Sequence, residues 1–462
     1  MACGGTPDSA RGGGAESAKE LRITEVAIYQ GVKNTLMIDN EATPGSVPLI
    51  AGREALLRVF YDAGSTEPGE VTGQLALSNG EPILESAPFR GTSTDDDLES
   101  TLNFPIPGDR MGDPLEYSVT LTQRGEMSVR DDVRWPASGY ESVTVTGTRN
   151  TLRVVLVPFA YEADGSGRVP DVSDEQVERY RARLLGMYPV SNVEISVRET
   201  ETWNAAILPD GEGWPDIAFQ LFQLRQDDAA PDDLYYYGVF DPTESLERYC
   251  ESSCQVGLTV FNDDPPETGM VDLRLALGVG FPSVAADTAV HELGHAHGLR
   301  HSPCGLGLDP ASLDSTYPYA DGSIGTWGYD IGAGELFSPT NNTDIMGYCE
   351  DPWISDHNYN KLFERGASVN GARMQTETAG EYELIGIDGA RAATWRNARV
   401  RAGRVRGRPV SVRLSGEATQ VTQGQWFSYD HLPGGWVLVP KPTFYASRAE
   451  IAHDGGVTVA LR

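Results

Sequence analysis

The sequence predicts a multidomain fold: a mixed α/β domain flanked by an N-terminal β-sandwich and a small C-terminal β domain. Three observations carry this. The chain has 462 residues, too many for one core when domains run to about 100–200 residues. Residues 21–148 alternate apolar and polar positions with period two and never hold a helical period for long. The pattern changes at Leu152, after which helical stripes appear, and they vanish again after about Ala367.

The elements follow in order. Residues 1–20 are rich in Gly, Ser and Ala and read as a flexible tether. Between 21 and 148, alternation is seen at Leu21 and Ile23, slips phase, and resumes at Val26 and Ile28. It returns at Leu57, Val59, Tyr61 and at Tyr117, Val119, Leu121. Turn-forming breaks such as Thr43-Pro44-Gly45 separate the runs. The pattern suits a sandwich of immunoglobulin or fibronectin type. Asp95-Asp96-Asp97 reads as a solvated loop; the EF-hand spacing is absent, so calcium has no support.

Residues 149–368 change character. Leu152 to Val157 is nearly all apolar, as a strand buried on both faces would be. Ser173 and Gln176 form a capping box ahead of the stripe Val177, Tyr180, Leu184. Val193, Ile195, Val197 alternate as a strand. Trp214, Ile217, Leu221, Leu224 give a second helix, and Leu234–Phe240, Val256–Val260 and Leu273–Leu277 give three further strands. Residues 369–462 hold only short strand signals, among them Glu381–Ile387, Val410–Leu414, Trp436–Val439 and Val457–Leu461.

Charge excludes one class of partner. The net charge is −31, which repels nucleic acid at long range. No apolar run reaches 18 residues, so no helix is expected to span a membrane. The chain is expected to act as a monomer.

The chemistry is concentrated in one segment. Four of the seven histidines fall in His291-Glu292-Leu293-Gly294-His295-Ala296-His297-Gly298-Leu299-Arg300-His301. Ser283 can cap a helix here, and Ala286, Ala289, Val290 and Leu293 line its apolar side. At about 100° per residue, His291 and His295 stand one turn apart on one face. Both imidazoles can then reach one zinc ion at about 2.0–2.1 Å. Glu292 lies beside the metal, where it can take a proton from water as a general base. His301 reaches the same ion only if the helix ends and the chain doubles back, and Gly298 is placed to allow that. His297 points elsewhere and is not a ligand. Three protein ligands with one open position describe one catalytic zinc ion.

This His-Glu-x-x-His-x-x-Gly-x-x-His signature resembles the metzincin clan of zinc metallopeptidases; a chance match has a probability on the order of 10⁻⁵. The resemblance covers about 150–368, and its order of elements is similar to a metzincin upper subdomain. It implies a methionine turn beneath the metal, a role that falls to Met346 in Asp344-Ile345-Met346-Gly347-Tyr348-Cys349. It also implies an edge strand that pairs with extended substrate, either Val256–Val260 or Leu273–Leu277. Tyr348 matches the tyrosine that astacin-like and serralysin-like metzincins place near the metal, where it can stabilise an oxyanion; a plain packed aromatic is the alternative. Ser302 after the third ligand is instead matrixin-like, so the subfamily stays open.

Because the ligand segments and the methionine turn meet at the metal, Cys304 and Cys349 are expected to form a disulfide. Cys250 and Cys254 are expected to form a small local one. Cys3, in Met1-Ala2-Cys3-Gly4-Gly5, resembles the lipidated cysteine of a bacterial lipoprotein. This places the protein outside the cell or on a bacterial surface, with membrane contact only through a lipid on Cys3. Residues Arg391 to Arg413 hold eight arginines and no acidic residue. They form either an internally paired face or an exosite for acidic glycoproteins.

The expected activity is therefore a secreted or surface-anchored zinc endopeptidase acting on proteins or glycoproteins. The rival is a zinc-containing adhesin or carbohydrate-binding lipoprotein without turnover, against which the intact Glu292 argues.

Overall fold

The computed structural model describes residues 21–62, 70–88, 91–123, 133–146, 150–251, 254–261, 271–305, 312–371, 379–401, 405 and 407–462. Cys3 and the tether lie outside them. The chain is multidomain and β-rich, with several sheets and few helices. Among the described residues no helix is long and apolar enough to cross a membrane.

Two antiparallel sheets enclose the first core. In one, Arg22–Tyr29 pairs with Gly31–Ile38 on one side and Ala55–Asp62 on the other. In the second, Glu70–Leu77 lies between Ile83–Pro88 and Leu115–Gln123. Val26, Ile28, Leu57 and Val59 from one face meet Leu75, Tyr117 and Val119 from the other. The slip in the alternation is a β-bulge: the register of Arg22–Tyr29 against Ala55–Asp62 shifts between Ile23 and Glu25. The outer face is also covered. Gly328–Asp330 pairs with Gly31–Ile38, and Trp327, Tyr329 and Leu336 pack over Ala27, Tyr29, Leu56 and Phe60. Asp95 receives the Lys33 ammonium at 2.6 Å, so this part of the acidic run is paired rather than simply solvated.

The middle section is built on a sheet ordered Asn192–Val197, Thr151–Tyr161, Leu234–Phe240, Leu275–Val279, Gly257–Thr259. The first four strands are parallel and the last antiparallel. Of the two candidate edges, Gly257–Thr259 is the edge and Leu275–Val279 lies inside. The latter starts two residues later than the alternation predicts, because a 3-10 turn occupies Val271–Leu273. Helices Asp174–Met187 and Ala285–Ala296 cover one face through Val177, Tyr180, Leu184, Ala289, Val290 and Leu293. Helix Trp214–Asp227 covers the other with Trp214, Ile217 and Leu221. Ser173 caps the first helix by accepting from the Gln176 N–H.

Seven antiparallel strands form the last sheet, ordered Ala393–Arg401, Ala379–Ile387, Gly435–Pro440, Thr419–Ser428, Arg408–Gly416, Ala446–His453, Gly456–Leu461. It is buried on both faces over much of its width. Val412, Leu414, Val437, Val439 and Ile451 form its own core. Leu384, Phe427, Trp436 and Leu438 instead join the core beneath helix Trp214–Asp227, with the Trp436 ring 5.5 Å from Phe222. Within the basic segment Arg396 pairs with Asp216, Arg408 with Asp454 at 2.9 Å and Arg413 with Glu450 at 3.8 Å.

Candidate metal centre

The site begins with helix Ala285–Ala296. Ser283 does not cap it. Val284 holds the N-cap position and no side chain caps the end. The chain enters through a tight turn in which the Phe281 carbonyl accepts from the Val284 and Ala285 N–H groups at 3.0 and 2.9 Å. The helix terminates at Gly298, whose φ of +91° is left-handed. There Leu299 N–H returns to the Gly294 carbonyl at 3.0 Å, the pattern of a helix stop that reverses the chain.

That reversal brings His301 back to the helix. His295 Nε2 lies 3.1 Å from His291 Nε2 and 3.0 Å from His301 Nε2. Three nitrogens around a tetrahedral zinc at about 2.0–2.1 Å would stand about 3.3–3.4 Å apart, so the donor set fits the ion. The remaining ring nitrogens are engaged: His291 Nδ1 with the Ile345 carbonyl at 2.7 Å, His295 Nδ1 with the Leu299 carbonyl at 2.7 Å, and His301 Nδ1 with Ser312 Oγ at 3.1 Å. The two carbonyls require an N–H on Nδ1 of His291 and His295, which leaves their inner lone pairs free for a metal, and the Ser312 hydroxyl can accept the same bond from His301. Burial pushes His291 down to about 3 and His301 to about 2, with His295 also far below its usual value. All three are neutral, as ligation requires.

His297 stands apart. It is buried, stacks on Tyr235 at 4.2 Å, and bonds the Leu293 carbonyl at 2.7 Å.

Glu292 is buried beside the three rings. Its Oε2 accepts from the Thr259 hydroxyl at 2.9 Å, and its Oε1 lies 2.9 Å from His431 Nε2. Burial pushes its carboxyl up to about 7. Gly257 leaves the room: a Cβ there would stand 2.5 Å from Glu292 Cγ and 2.6 Å from Cδ.

Met346 is fully buried beneath the helix, where a Cβ on Gly294 would meet its Sδ at 2.6 Å. Buried Asp344 shapes this turn by accepting from the Met346 N–H, the Ser355 N–H and Asn358 Nδ2, each at 2.8 Å. Tyr348 follows, its backbone N–H on the Cys304 carbonyl at 2.8 Å and its hydroxyl 3.1 Å from His301 Nε2. Disulfides join Cys304 to Cys349 and Cys250 to Cys254; the first ties the segment after His301 to the segment after Tyr348.

Three groups in the centre were not identified from sequence: Thr259, Asp430 and His431. Asp430 and His431 come from the last sheet, in the turn after Thr419–Ser428. His431 lies 83 residues beyond Tyr348 and has no ligand spacing to any other histidine. Its only local mark is the following Pro433-Gly434-Gly435 turn. Together His291, His295, His301 and His431 each offer a ligand atom within 4.8 Å of one another.

Residues 278–384 match the family model of Peptidase M66, a zinc metallopeptidase family. The chain is similar to Peptidase M66 over this stretch. The M66-like residues take in the three histidines, Glu292, Met346 and Tyr348, and cover less than half of the chain. They end before His431. No curated protein matches the chain.

Proposed function

We propose that the protein is a zinc-dependent endopeptidase of metzincin type, secreted or held at a bacterial surface through Cys3, acting on proteins or glycoproteins. The observation that carries this is the convergence of three neutral imidazoles, with His295 Nε2 at 3.0–3.1 Å from the Nε2 atoms of His291 and His301, and a buried carboxylate beside them. The likeness to Peptidase M66 supports the peptidase class. The strand order, with one antiparallel edge strand beside the histidine helix, and the buried Met346 support the finer metzincin assignment.

His291, His295 and His301 would hold the zinc. Bound there, zinc would supply the Lewis acidity that makes a water nucleophilic at neutral pH and offsets charge on the scissile carbonyl. Glu292 takes the proton of the attacking water and passes it to the leaving amine. Its carboxyl, raised to about 7 by burial, is matched to that exchange near neutral pH. Thr259 holds one carboxylate oxygen so that the other faces the reacting atoms. The Tyr348 hydroxyl, beside His301 Nε2, is placed to donate to the developing oxyanion.

The test is Glu292→Gln in the full chain. The variant keeps its zinc by elemental analysis and loses cleavage of a peptide library. Unchanged cleavage would overturn the assignment of the base.

A further inference from the structure

The last sheet supplies a residue to the metal centre, and the way it does so has a chemical meaning. Residues 428–430 lie antiparallel along the outer side of the edge strand. Phe261 N–H donates to the Ser428 carbonyl at 2.8 Å, Asp430 N–H donates to the Thr259 carbonyl at 3.2 Å, and Val260 bridges Tyr429. The Asp430 carboxylate adds a bond from the Thr259 N–H at 2.9 Å. Gly257–Thr259 has its other side in the sheet, so these three residues pair with the free side of its Thr259 end, and with Val260 and Phe261 beyond it, as an added peptide strand would.

The next residue is His431. Its ring lies 5.1, 5.3 and 4.9 Å from those of His291, His295 and His301. Those three are themselves 4.7, 4.5 and 5.5 Å apart. Four rings with six nearly equal separations mark the corners of a tetrahedron. Four imidazoles bound to one zinc at about 2.0–2.1 Å, each centroid about 1.1–1.2 Å beyond its nitrogen, would be about 5.2 Å apart. The observed separations straddle that value. His431 also stands between the Glu292 carboxylate and the Tyr348 hydroxyl, the space a scissile carbonyl would need.

The turn is built to hold it there. Gly434, at φ +115°, is packed against the Ile387 carbonyl, which a Cβ would strike. Its own carbonyl accepts from the Tyr429 N–H at 3.1 Å. Buried Trp436 follows at once.

We infer that His431 is a fourth protein ligand of the metal, delivered by the C-terminal sheet, so that the resting chain holds a closed four-imidazole centre. This rests on the zinc-peptidase reading, and it adds that substrate must displace both the strand at 428–430 and His431. A closed, four-coordinate zinc is a resting state; turnover needs the fourth position open.

The test uses the full-length protein loaded with one zinc. His431→Cys should introduce a zinc–sulfur distance of about 2.3 Å in X-ray absorption, absent from the wild type. His431→Ala should weaken zinc affinity, measured by chelator competition, beyond the about 10–100-fold that loss of an outer-shell partner costs. No sulfur at the metal in His431→Cys, or affinity of His431→Ala within about 100-fold of wild type, overturns the inference. Either of those results alongside zinc-dependent peptide cleavage overturns the closure alone. Zinc–sulfur ligation in His431→Cys, with no peptide cleaved by either the wild type or His431→Ala, upholds the closure and overturns the peptidase reading.

Discussion

Gly257→Ala is the sharpest probe of how the general base is placed. Gly257 lies on the edge strand opposite Glu292, and its φ is not among the left-handed ones. Alanine therefore meets no backbone strain, and the effect of the substitution is confined to space. The added methyl would stand 2.5–2.6 Å from Glu292 Cγ and Cδ, whereas ordinary contacts fall at 3.4–4 Å. Either the carboxylate or the edge strand must move by about 1 Å. The Thr259 hydroxyl, which bonds both the Glu292 carbonyl and its carboxylate, resists the first movement.

A misplacement of about 1 Å in a catalytic group can cost about 10²-fold in rate, or about 2.7 kcal/mol of transition-state stabilisation. The expected result is a fall in kcat and kcat/KM of that order, with KM little changed. Zinc content should not fall, because Gly257 touches none of the three ligands of the helix and turn. The assay is steady-state cleavage of one peptide selected from the library, with metal analysis of the same samples. Turnover within a few-fold of wild type would refute the claim that the space over Gly257 sets the position of Glu292.

Two further outcomes follow from the same geometry. Tyr348→Phe keeps the ring and removes its hydroxyl from His301; kcat and kcat/KM should drop together by about 10²–10³ with zinc content and KM nearly unchanged, as steady-state kinetics would record. Cys304→Ser with Cys349→Ser opens a loop of 45 residues, and the chain-entropy model puts the loss at about 4 kcal/mol, read as a lower midpoint in denaturant titration of the oxidised protein.

The metal centre was legible in sequence where its parts are close in the chain. His291, His295 and Glu292 share one helix, so their mutual position follows from 3.6 residues per turn. His301 needed one more inference, the left-handed stop at Gly298, and that glycine does sit at φ +91°. Met346 and Tyr348 rest on the likeness to metzincins, within which Met346 fits by its spacing and turn-like neighbours. Asp344, whose three 2.8 Å hydrogen bonds shape the turn, carries no mark in the sequence, because a buried carboxylate in a turn has no periodic signature. The helix start was misassigned at Ser283, since a capping residue one position early is indistinguishable in sequence when a backbone turn supplies the bonds instead.

What escaped was docking between distant segments, and here the sequence did carry a signal. A strand that faces water on one side alternates, whereas one covered on both sides is a continuous apolar run. Leu152–Val157 follows that rule and lies in an interior strand of the middle sheet. The same pattern is present in Gly435–Pro440, where Trp436, Val437, Leu438 and Val439 are all buried. Trp436 and Leu438 face helix Trp214–Asp227, while Val437 and Val439 face the strand's own core. In Ala55–Asp62 the run is interrupted by Arg58 and only alternation is visible, although the strand is covered from outside by Trp327 and Tyr329. In both places the sheet has a partner on its second face. For the C-terminal sheet the partner is the middle section itself. Its Ser428–His431 turn, rooted beside buried Trp436 and Phe427, is thereby fixed against the edge strand. His431 reaches the metal centre for the same reason that Trp436 is buried.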